Sequence, residues 1–183
     1  AITEYEDVLK KHFLDSLALA LLVKLSGKKV KLLDMGTGAG FPGIPLKIAF
    51  PELEITLMDS LNKRIVFLQE VINELGLTGI TAVHGRAEEA ALKPEYREEF
   101  DFCVSRAVAR LVSLSEFCLP FVKQGGYFVP YKSGEIKEEL QEAKFAIREL
   151  GGEYRKTFEY RLPNSDIDRT MIQIEKVEQK PKK

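Results

Sequence analysis

The fold of this chain is decided by the stretch Asp34-Met35-Gly36-Thr37-Gly38-Ala39-Gly40-Phe41-Pro42-Gly43-Ile44-Pro45. Its first three glycines stand at alternate positions, so the backbone can turn sharply and bring a ligand close to main-chain N–H groups. The apolar run 30–33 before the stretch predicts a buried strand. Both prolines suit the first turn of a helix, which we expect to begin near Pro42. The stretch therefore predicts a strand, a ligand-binding loop and a helix.

Two nucleotide-type ligands are compatible with this loop. From Gly38 onward the residues fit G-x-G-x-x-G, the pattern of dinucleotide-binding domains, which alone is weak evidence. From Asp34 onward they fit D-x-G-x-G-x-G, which resembles the first motif of class I S-adenosylmethionine-dependent methyltransferases. A pyrophosphate is attracted to the positive end of a helix, whereas S-adenosylmethionine carries an ammonium group and a sulfonium. The carboxylate at the strand end favours the cation, and an NAD-binding oxidoreductase stays as an alternative.

The composition is that of a globular protein, since 45% of the 183 residues are hydrophobic and 30% are charged. No apolar run approaches the roughly 20 residues that span a bilayer. Cys103 and Cys118 lie in apolar surroundings without a C-x-x-C pair, which favours buried thiols over a disulfide or a metal site. The net charge of −1 neither favours nor excludes an RNA partner. We expect a cytoplasmic monomer with no metal and no membrane partner.

We expect a single methyltransferase domain over residues 1–183, with an N-terminal helical segment (1–27), a catalytic core (28–177) and a loose basic tail (178–183). Leucines spaced by three and four positions predict an amphipathic helix over 6–25, with Gly27 as its stop. The predicted buried leucines are Leu14, Leu17, Leu21 and Leu25. On the same helix His12 and Asp15 share a face, either as a functional pair or as a surface pair.

Strand and helix patterns alternate through the rest of the chain. The predicted strands are 30–33, 54–58, 80–84, 100–104, 127–131, 153–162 and 170–177. The predicted helices are 42–49, 61–75, 111–121 and 135–150, and Gly125-Gly126 is predicted as a turn. The last two strands are close enough for an antiparallel hairpin. These patterns predict an α/β, Rossmann-like fold with a seven-stranded, mostly parallel sheet and a C-terminal hairpin. This ending resembles that of class I methyltransferases, whereas dinucleotide-binding domains usually continue with parallel crossovers.

Four polar groups follow the carboxyl ends of predicted parallel strands, where ligands bind in such sheets. Asp59 lies 19 positions after Gly40 (59 − 40), so its carboxylate can accept the ribose hydroxyls of an adenosine, or else cap the next helix. The turn 85–89 can present backbone groups to an adenine edge. Arg106 and Lys132 follow later strands, either over the pocket or as solvated side chains.

Several motifs together resemble the bacterial family named glucose-inhibited division protein B, also called RsmG. They are His12-Phe13-Leu14-Asp15-Ser16, the stretch 34–46, Met58-Asp59-Ser60 with Lys63-Arg64 and Phe67-Leu68, and Ser105-Arg106-Ala107. The resemblance implies an S-adenosylmethionine-dependent methyltransferase that acts on N7 of a guanine in 16S ribosomal RNA of the small ribosomal subunit. A small-molecule methyltransferase and a catalytically silent RNA-binding module are the further alternatives.

The resemblance also implies site residues. The expected cofactor contacts are Gly36, Gly38, Gly40, Phe41, Asp59, Ala87, Glu88 and Arg106. Guanine N7 has a free lone pair, so its methylation needs orientation rather than a general base. As a hypothesis, Arg106 and Lys132 are catalytic, holding an RNA phosphate or the guanine O6 near the methyl group, and Arg169 assists Lys132 in binding the substrate.

Overall fold

The computed structural model of the chain describes residues 4–25, 29–106 and 109–181. Seven strands form one sheet in the order β3-β2-β1-β4-β5-β7-β6. They are β1 (Lys31–Met35), β2 (Glu54–Asp59), β3 (Ile80–His84), β4 (Phe100–Ser105), β5 (Val122–Lys132), β6 (Gly152–Arg161) and β7 (Asp168–Lys176). The first five run parallel, and β7 pairs antiparallel with both β5 and β6. The predicted mostly parallel sheet with a C-terminal hairpin is confirmed.

Helices cover both faces of the sheet. The N-terminal helix α1 consists of the segments Tyr5–Val8, Leu9–Leu14, Asp15–Leu17 and Leu19–Leu22, of which the second is π-helical. The other helices are α2 (Gly43–Ala49), α3 (Asn62–Glu74), α4 (Ala87–Ala90), α5 (Leu111–Cys118) and α6 (Lys137–Glu149), with a 3-10 turn at Leu119–Phe121. One apolar core lies between the sheet and α1 to α3, and the second lies under α5 and α6. Both thiols, Cys103 and Cys118, are free and buried in the second core.

The buried face of α1 differs from the prediction. Leu25 is buried and Leu17 is half-buried against the first core, but Leu14 and Leu21 are 44% and 68% exposed. The face that packs inward instead carries Asp15, Ser16, Ala18, Leu19 and Leu22. Leucine spacing misled the prediction because Asp15 and Ser16 are buried by polar partners from distant strands. The predicted stop, Gly27, lies outside the described residues.

The glycines of β5 also differ from the prediction. Gly125 and Gly126 belong to β5 rather than to a turn before it, and the pairing with β4 shifts register between Phe100 and Phe102. A Cβ on Gly126 would lie 2.6 Å from the carbonyl oxygen of Asp101. The glycine therefore marks a close approach of two strands inside the sheet, which a single sequence cannot distinguish from a turn.

The described part of the predicted loose tail is held to the body of the protein. The Arg97 guanidinium donates to the carbonyl of Lys180 at 2.7 Å, and the Lys180 N–H donates to Glu98 at 3.2 Å. The last two residues of the chain lie outside the described ranges. No helix in the described ranges is long and apolar enough to cross a membrane, and these ranges contain no cluster of three or more potential metal ligands.

Candidate active site

The glycine-rich loop is organised from below by a buried carboxylate. Asp34, at 0% exposure, accepts hydrogen bonds through Oδ2 from the Thr37 hydroxyl (2.7 Å) and the Gly43 N–H (2.9 Å). Burial raises the pKa of Asp34 to about 6, against the opposing effect of these two hydrogen bonds. Its Oδ1 has no hydrogen-bond partner among the described residues. Asp34 thus ties both ends of the loop together and leaves negative charge beneath it.

The loop requires glycine for two reasons. Gly36, Gly38 and Gly40 all have positive φ, a backbone conformation that other residues rarely adopt. At Gly40, with φ of 95°, a Cβ would also lie within 2.9 Å of the Ile44 and Leu68 side chains. The loop therefore turns tightly under α2 and leaves no room for a side chain at Gly40, and α2 begins directly after Pro42 as predicted.

Of the two roles that the sequence position of Asp59 left open, the structure shows the contact at the start of the next helix. At the end of β2 and 3% exposed, it accepts the Gly38 N–H at 3.0 Å and the Leu61 N–H, also at 3.0 Å. The half-exposed guanidinium of Arg64 lies 3.1 Å from Oδ2. The carboxylate thus links the glycine loop, the entry to α3 and the Arg64 side chain at one point.

A cavity of about 380 Å3, here called the glycine-loop cavity, opens at the carboxyl ends of β1 to β4. Its polar and backbone lining includes Gly36, Asp59, Ser60, Arg64, Gly85, Ala87, Glu88 and Ser105, and its apolar lining includes Met35, Leu114 and Phe117. Four of the predicted cofactor residues therefore meet here: Gly36, Asp59, Ala87 and Glu88. Leu114 and Phe117 were missed because the pattern of α5 shows only that its leucines and phenylalanine are apolar.

Two other predicted cofactor residues are not part of this lining: Phe41 contacts α1, and Gly40 lies next to the side chains of Ile44 and Leu68. The Phe41 ring packs against His12, with centroids 5.1 Å apart, and edge-on against Phe13 at 5.3 Å. Partial burial, followed by the nearby Arg106 charge, lowers the pKa of His12. The loop is thus covered from one side by the π-helical segment of α1.

The Arg106 guanidinium is directed at α1. It donates to Ser16 Oγ (3.0 Å) and to the Lys11 carbonyl (3.0 Å), and it pairs with Asp15 Oδ2 at 3.2 Å. It also lies over the Tyr131 ring, 6.0 Å from the centroid. Ser105 before it lines the glycine-loop cavity, so Arg106 stands at the boundary of that cavity. Ala107, the last residue of the motif, is outside the described residues.

Asp15 is the centre of a buried polar network. Beside Arg106, its carboxylate pairs with Arg169 at 3.5 Å and accepts the Tyr160 hydroxyl at 2.6 Å. Burial, and then the hydrogen bond to Asp15, raises the pKa of Tyr160. The Tyr131 hydroxyl donates to the Ser16 carbonyl at 2.7 Å. The His-x-x-Asp-Ser motif is therefore a buried anchor of α1 on the sheet rather than a surface pair.

A second cavity, of about 270 Å3, lies over the ends of β4 and β5 and the start of β7 and is here called the cationic cavity. Its lining is Asp15, Arg106, Tyr131, Lys132, Ser133, Glu139 and Arg169. The three predicted catalytic and substrate residues, Arg106, Lys132 and Arg169, thus come together. The Lys132 ammonium donates to the Ala109 carbonyl (2.9 Å) and pairs with Glu139 (2.7 Å). With three cations and two carboxylates, the lining has a formal charge of +1 (3 − 2).

The chain matches a family of known proteins. A family model described as rRNA small subunit methyltransferase G, or GidB, matches residues 1–163. The chain belongs to this family. The resemblance seen in the sequence motifs is confirmed, and the oxidoreductase alternative is set aside.

Named relatives in the small subunit rRNA methyltransferase G family are highly similar. A ribosomal RNA small subunit methyltransferase G from Lachnoclostridium phytofermentans is 60% identical over the whole chain, which covers 75% of that protein. The corresponding protein of Alkaliphilus metalliredigens is 52% identical, again over the whole chain and 76% of its own length. The chain thus spans about three quarters of the length of these relatives.

Solved structures of low identity share the fold. The YcgJ protein from Bacillus subtilis aligns with a TM-score of 0.67 at 16% identity, covering 89% of this chain and 98% of its own. TYW2 of M. jannaschii, solved in complex with AdoMet, aligns with a TM-score of 0.69 at 13% identity, covering 96% and 78%. The class I S-adenosylmethionine-dependent methyltransferase fold is therefore confirmed.

The lining of the glycine-loop cavity fits S-adenosylmethionine, the cofactor expected for a methyltransferase G family member. Asp59 offers carboxylate oxygens where a ribose would lie, and Leu114 and Phe117 offer an apolar wall for a base. The buried Asp34 carboxylate, with one oxygen unpartnered within the described chain, favours a cationic ligand above the loop. The volume of the glycine-loop cavity, about 380 Å3, is in the range of small-ligand pockets.

Proposed function

We propose that this chain transfers the methyl group of S-adenosylmethionine to N7 of a guanine in 16S ribosomal RNA of the small ribosomal subunit. Family membership and the names of the relatives support a ribosomal RNA substrate. The choice of guanine N7 rests on the family resemblance. The observation that carries the proposal is the cationic cavity beside the glycine-loop cavity: Ser105 lines one and Arg106 the other, and Ala109 of the glycine-loop cavity accepts a hydrogen bond from Lys132 of the cationic cavity.

The proposed cofactor site consists of the glycine loop and the strand ends beside it. Gly36, Gly38, Gly40 and Phe41 supply the loop, Asp59 accepts the ribose hydroxyls, and Ala87 and Glu88 flank the base. Arg106 is included as the residue between the two cavities, although its described contacts are with α1 and Tyr131. In this position it can influence cofactor and substrate together.

The proposed chemistry needs orientation and little else. When bound, S-adenosylmethionine supplies a methyl group on a positively charged sulfur: the N7 lone pair forms the new N–C bond while the S–C electrons return to sulfur, and no proton leaves. Lys132 and Arg106 would hold the guanine O6 or a phosphate, and Arg169 would assist, so that N7 stays in line. Fixing reactants in this way can contribute several kcal/mol to catalysis. The base must leave its stack to reach the cavity, which favours a looped RNA site.

Labelled methyl transfer tests the proposal. Small ribosomal subunits that lack the modification are incubated with the protein and methyl-labelled S-adenosylmethionine, and the RNA is digested to nucleosides. The expected product is N7-methylguanosine at one position. Absence of label from the small-subunit RNA, or label on another atom, would contradict it.

The role of Lys132 is tested with Lys132→Ala. Because a hydrogen bond from a charged donor would be lost, the rate should fall by about 10- to 100-fold with the cofactor affinity unchanged. Lys144→Ala is the matched control, since Lys144 is an exposed lysine on α6 outside the cationic cavity. An unchanged rate for Lys132→Ala would remove this residue from the proposed site.

The proposal includes one methyltransferase domain that acts as a cytoplasmic monomer. The single continuous sheet that joins all seven strands supports one domain. Sedimentation of the purified protein, alone and with its RNA, measures the oligomeric state, and a stable dimer would correct this part.

A further inference from the structure

We propose that the ion pair between Lys132 and Glu139 selects guanine by reading its O6, N1–H and N2–H groups. This inference rests on the proposed function and assigns a specificity role to Glu139, a residue that the sequence did not single out. Both side chains line the cationic cavity, where the target base would enter.

The pair is held rigidly from two sides. Glu139 Oε1 accepts the Leu111 N–H at the start of α5 (2.6 Å) as well as the Lys132 ammonium. Lys132 is itself fixed to the Ala109 carbonyl. The two side chains are only 12% and 22% exposed. Such groups cannot rearrange freely to suit any base, so their order along the cavity wall imposes a pattern on the ligand.

The order of these groups matches the edge of guanine. Ala109 lines the glycine-loop cavity, its carbonyl contacts the Lys132 ammonium at 2.9 Å, and that ammonium contacts Glu139 at 2.7 Å. Followed from Ala109, these contacts present first a donor and then an acceptor along the wall. From N7, guanine presents the acceptor O6 and then the donors N1–H and N2–H. With N7 at the cofactor, O6 meets Lys132 and the two donors meet Glu139.

Adenine presents the opposite pattern. Its N6 amino group would face the Lys132 ammonium, donor against donor, and its unprotonated N1 would face the Glu139 carboxylate, acceptor against acceptor. A site that leaves buried charged groups unpaired rejects the wrong ligand strongly. The pair thus excludes adenine N7, which is otherwise a chemically similar nucleophile.

The carboxylate also suits the reaction itself. Methylation of N7 leaves a positive charge on the ring, and this charge makes N1–H and N2–H stronger donors. The hydrogen bonds from these groups to a carboxylate become stronger as the charge develops. Glu139 therefore stabilises the transition state more than the bound substrate. Its removal should therefore lower kcat and not only raise KM.

The test compares Glu139→Gln with wild type on two RNAs that carry either guanine or hypoxanthine at the target position. Hypoxanthine keeps O6 and N1–H but lacks the 2-amino group. Wild type should prefer guanine by about tenfold or more, since one charge-assisted hydrogen bond is lost. In Glu139→Gln, methylation of guanine should fall by about 10- to 100-fold and the preference should shrink to roughly threefold or less. Glutamine can still accept the Leu111 N–H, so α5 keeps its cap.

Glu142→Gln is the matched control. Glu142 lies on α6 three residues further along and pairs with Arg110 on the surface, outside the cationic cavity. Its methylation rates and base preference should equal those of wild type. The melting temperature and the cofactor dissociation constant of each variant are measured alongside, so that folding and cofactor binding are separated from base reading.

The outcomes separate this inference from the proposed function. If wild type methylates guanine N7 but Glu139→Gln slows guanine and hypoxanthine equally, Glu139 is only a structural residue and the inference is overturned. An unchanged rate in Glu139→Gln overturns it as well. If wild type transfers no methyl group to the small-subunit RNA, the proposed function fails first. A shrunken preference with an unchanged cofactor affinity supports the inference.

Discussion

The two cavities on the same sheet edge are built in different ways. The glycine loop, which forms one wall of the glycine-loop cavity, is organised by the carboxylates of two neighbouring strands, Asp34 and Asp59, whose contacts connect residues 3, 9 and 21 positions apart. In the cationic cavity, the network around Asp15 and Ser16 connects residues 90, 145 and 154 (169 − 15) positions apart, while Lys132 is held by Ala109 and Glu139, 23 and 7 positions away. The contacts of the glycine loop are local in sequence, and the network around Asp15 exists only once the chain has folded.

This difference predicts different responses to mutation. A change in the glycine-loop cavity should mainly alter cofactor binding, because the loop is supported by its own strand and helix. A change in the network behind the cationic cavity should first reduce stability, because Asp15 joins α1, the end of β4 and the C-terminal hairpin.

The largest effect is expected for Asp15→Ala. It leaves Arg106 and Arg169 without their shared carboxylate in a site where Asp15 is 2% exposed. Breaking a buried ion pair destabilises a protein by about 3 to 5 kcal/mol. Urea unfolding measures the change. Asp7→Ala is the control, since its pair with Lys11 is partly exposed and should contribute less than about 1 kcal/mol. Equal effects of the two substitutions would mean that the network does not anchor α1.

The next effect is a pH dependence from Asp34. Its pKa is raised from 3.8 to about 6 in the folded state, so the folded protein holds a proton that the unfolded chain has released between these values. The protonated Asp34 side chain therefore contributes about 3 kcal/mol to the free energy of unfolding below pH 3.8, and this contribution is lost as the pH rises to about 6. Asparagine has no carboxyl proton, so the Asp34→Asn variant lacks this pH dependence. The unfolding free energy of wild type should fall by that amount relative to Asp34→Asn between pH 4 and 7, and parallel pH profiles would contradict the prediction.

The sequence predicted what depends on short spacings and missed what depends on distant partners. The alternation of strands and helices, the C-terminal hairpin, the loop glycines and the position of Asp59 follow from local patterns. The burial of Asp15 and Ser16 does not, because leucine spacing in α1 indicated another face, and only Arg106, Tyr160 and Arg169 explain it. The sequence predicts a turn at Gly126, and only the structure shows that a Cβ there would lie 2.6 Å from the Asp101 carbonyl oxygen of β4. Arg106 and Lys132 were placed at the correct edge, but their partners could not be predicted.

On the cofactor side, Asp59→Asn should weaken S-adenosylmethionine binding by about 10- to 100-fold, since hydrogen bonds to a charged acceptor are lost. The single amide oxygen can still accept the Gly38 N–H and so support the loop, but it cannot also accept the Leu61 N–H, which Asp59 binds through its other oxygen. Calorimetric titration measures the affinity, and thermal unfolding with no ligand measures the separate cost of the lost Leu61 contact, about 1 to 3 kcal/mol. A large loss of stability with a normal affinity would place Asp59 among the structural residues, as Asp15 is.

The smallest effect concerns Arg64. Without a cofactor, the Asp59 carboxylate already accepts two backbone N–H groups and the Arg64 guanidinium. A ribose that needs the same oxygens must displace Arg64, whose side chain is 47% exposed and therefore weakly held. Arg64→Met removes this competitor, so the affinity for S-adenosylmethionine should rise by about two- to fivefold, which corresponds to a surface ion pair of up to 1 kcal/mol.

Lys63→Met is the control for this last prediction, because it removes a neighbouring positive charge that does not line the glycine-loop cavity. Its affinity should stay within error of wild type. If Arg64→Met binds the cofactor more weakly, Arg64 contacts the ligand directly and the cavity uses a charged side chain from α3 in the same way as the cationic cavity uses Lys132. The contrast between a backbone-built site and a side-chain-built site would then hold for the loop but not for the whole cofactor cavity.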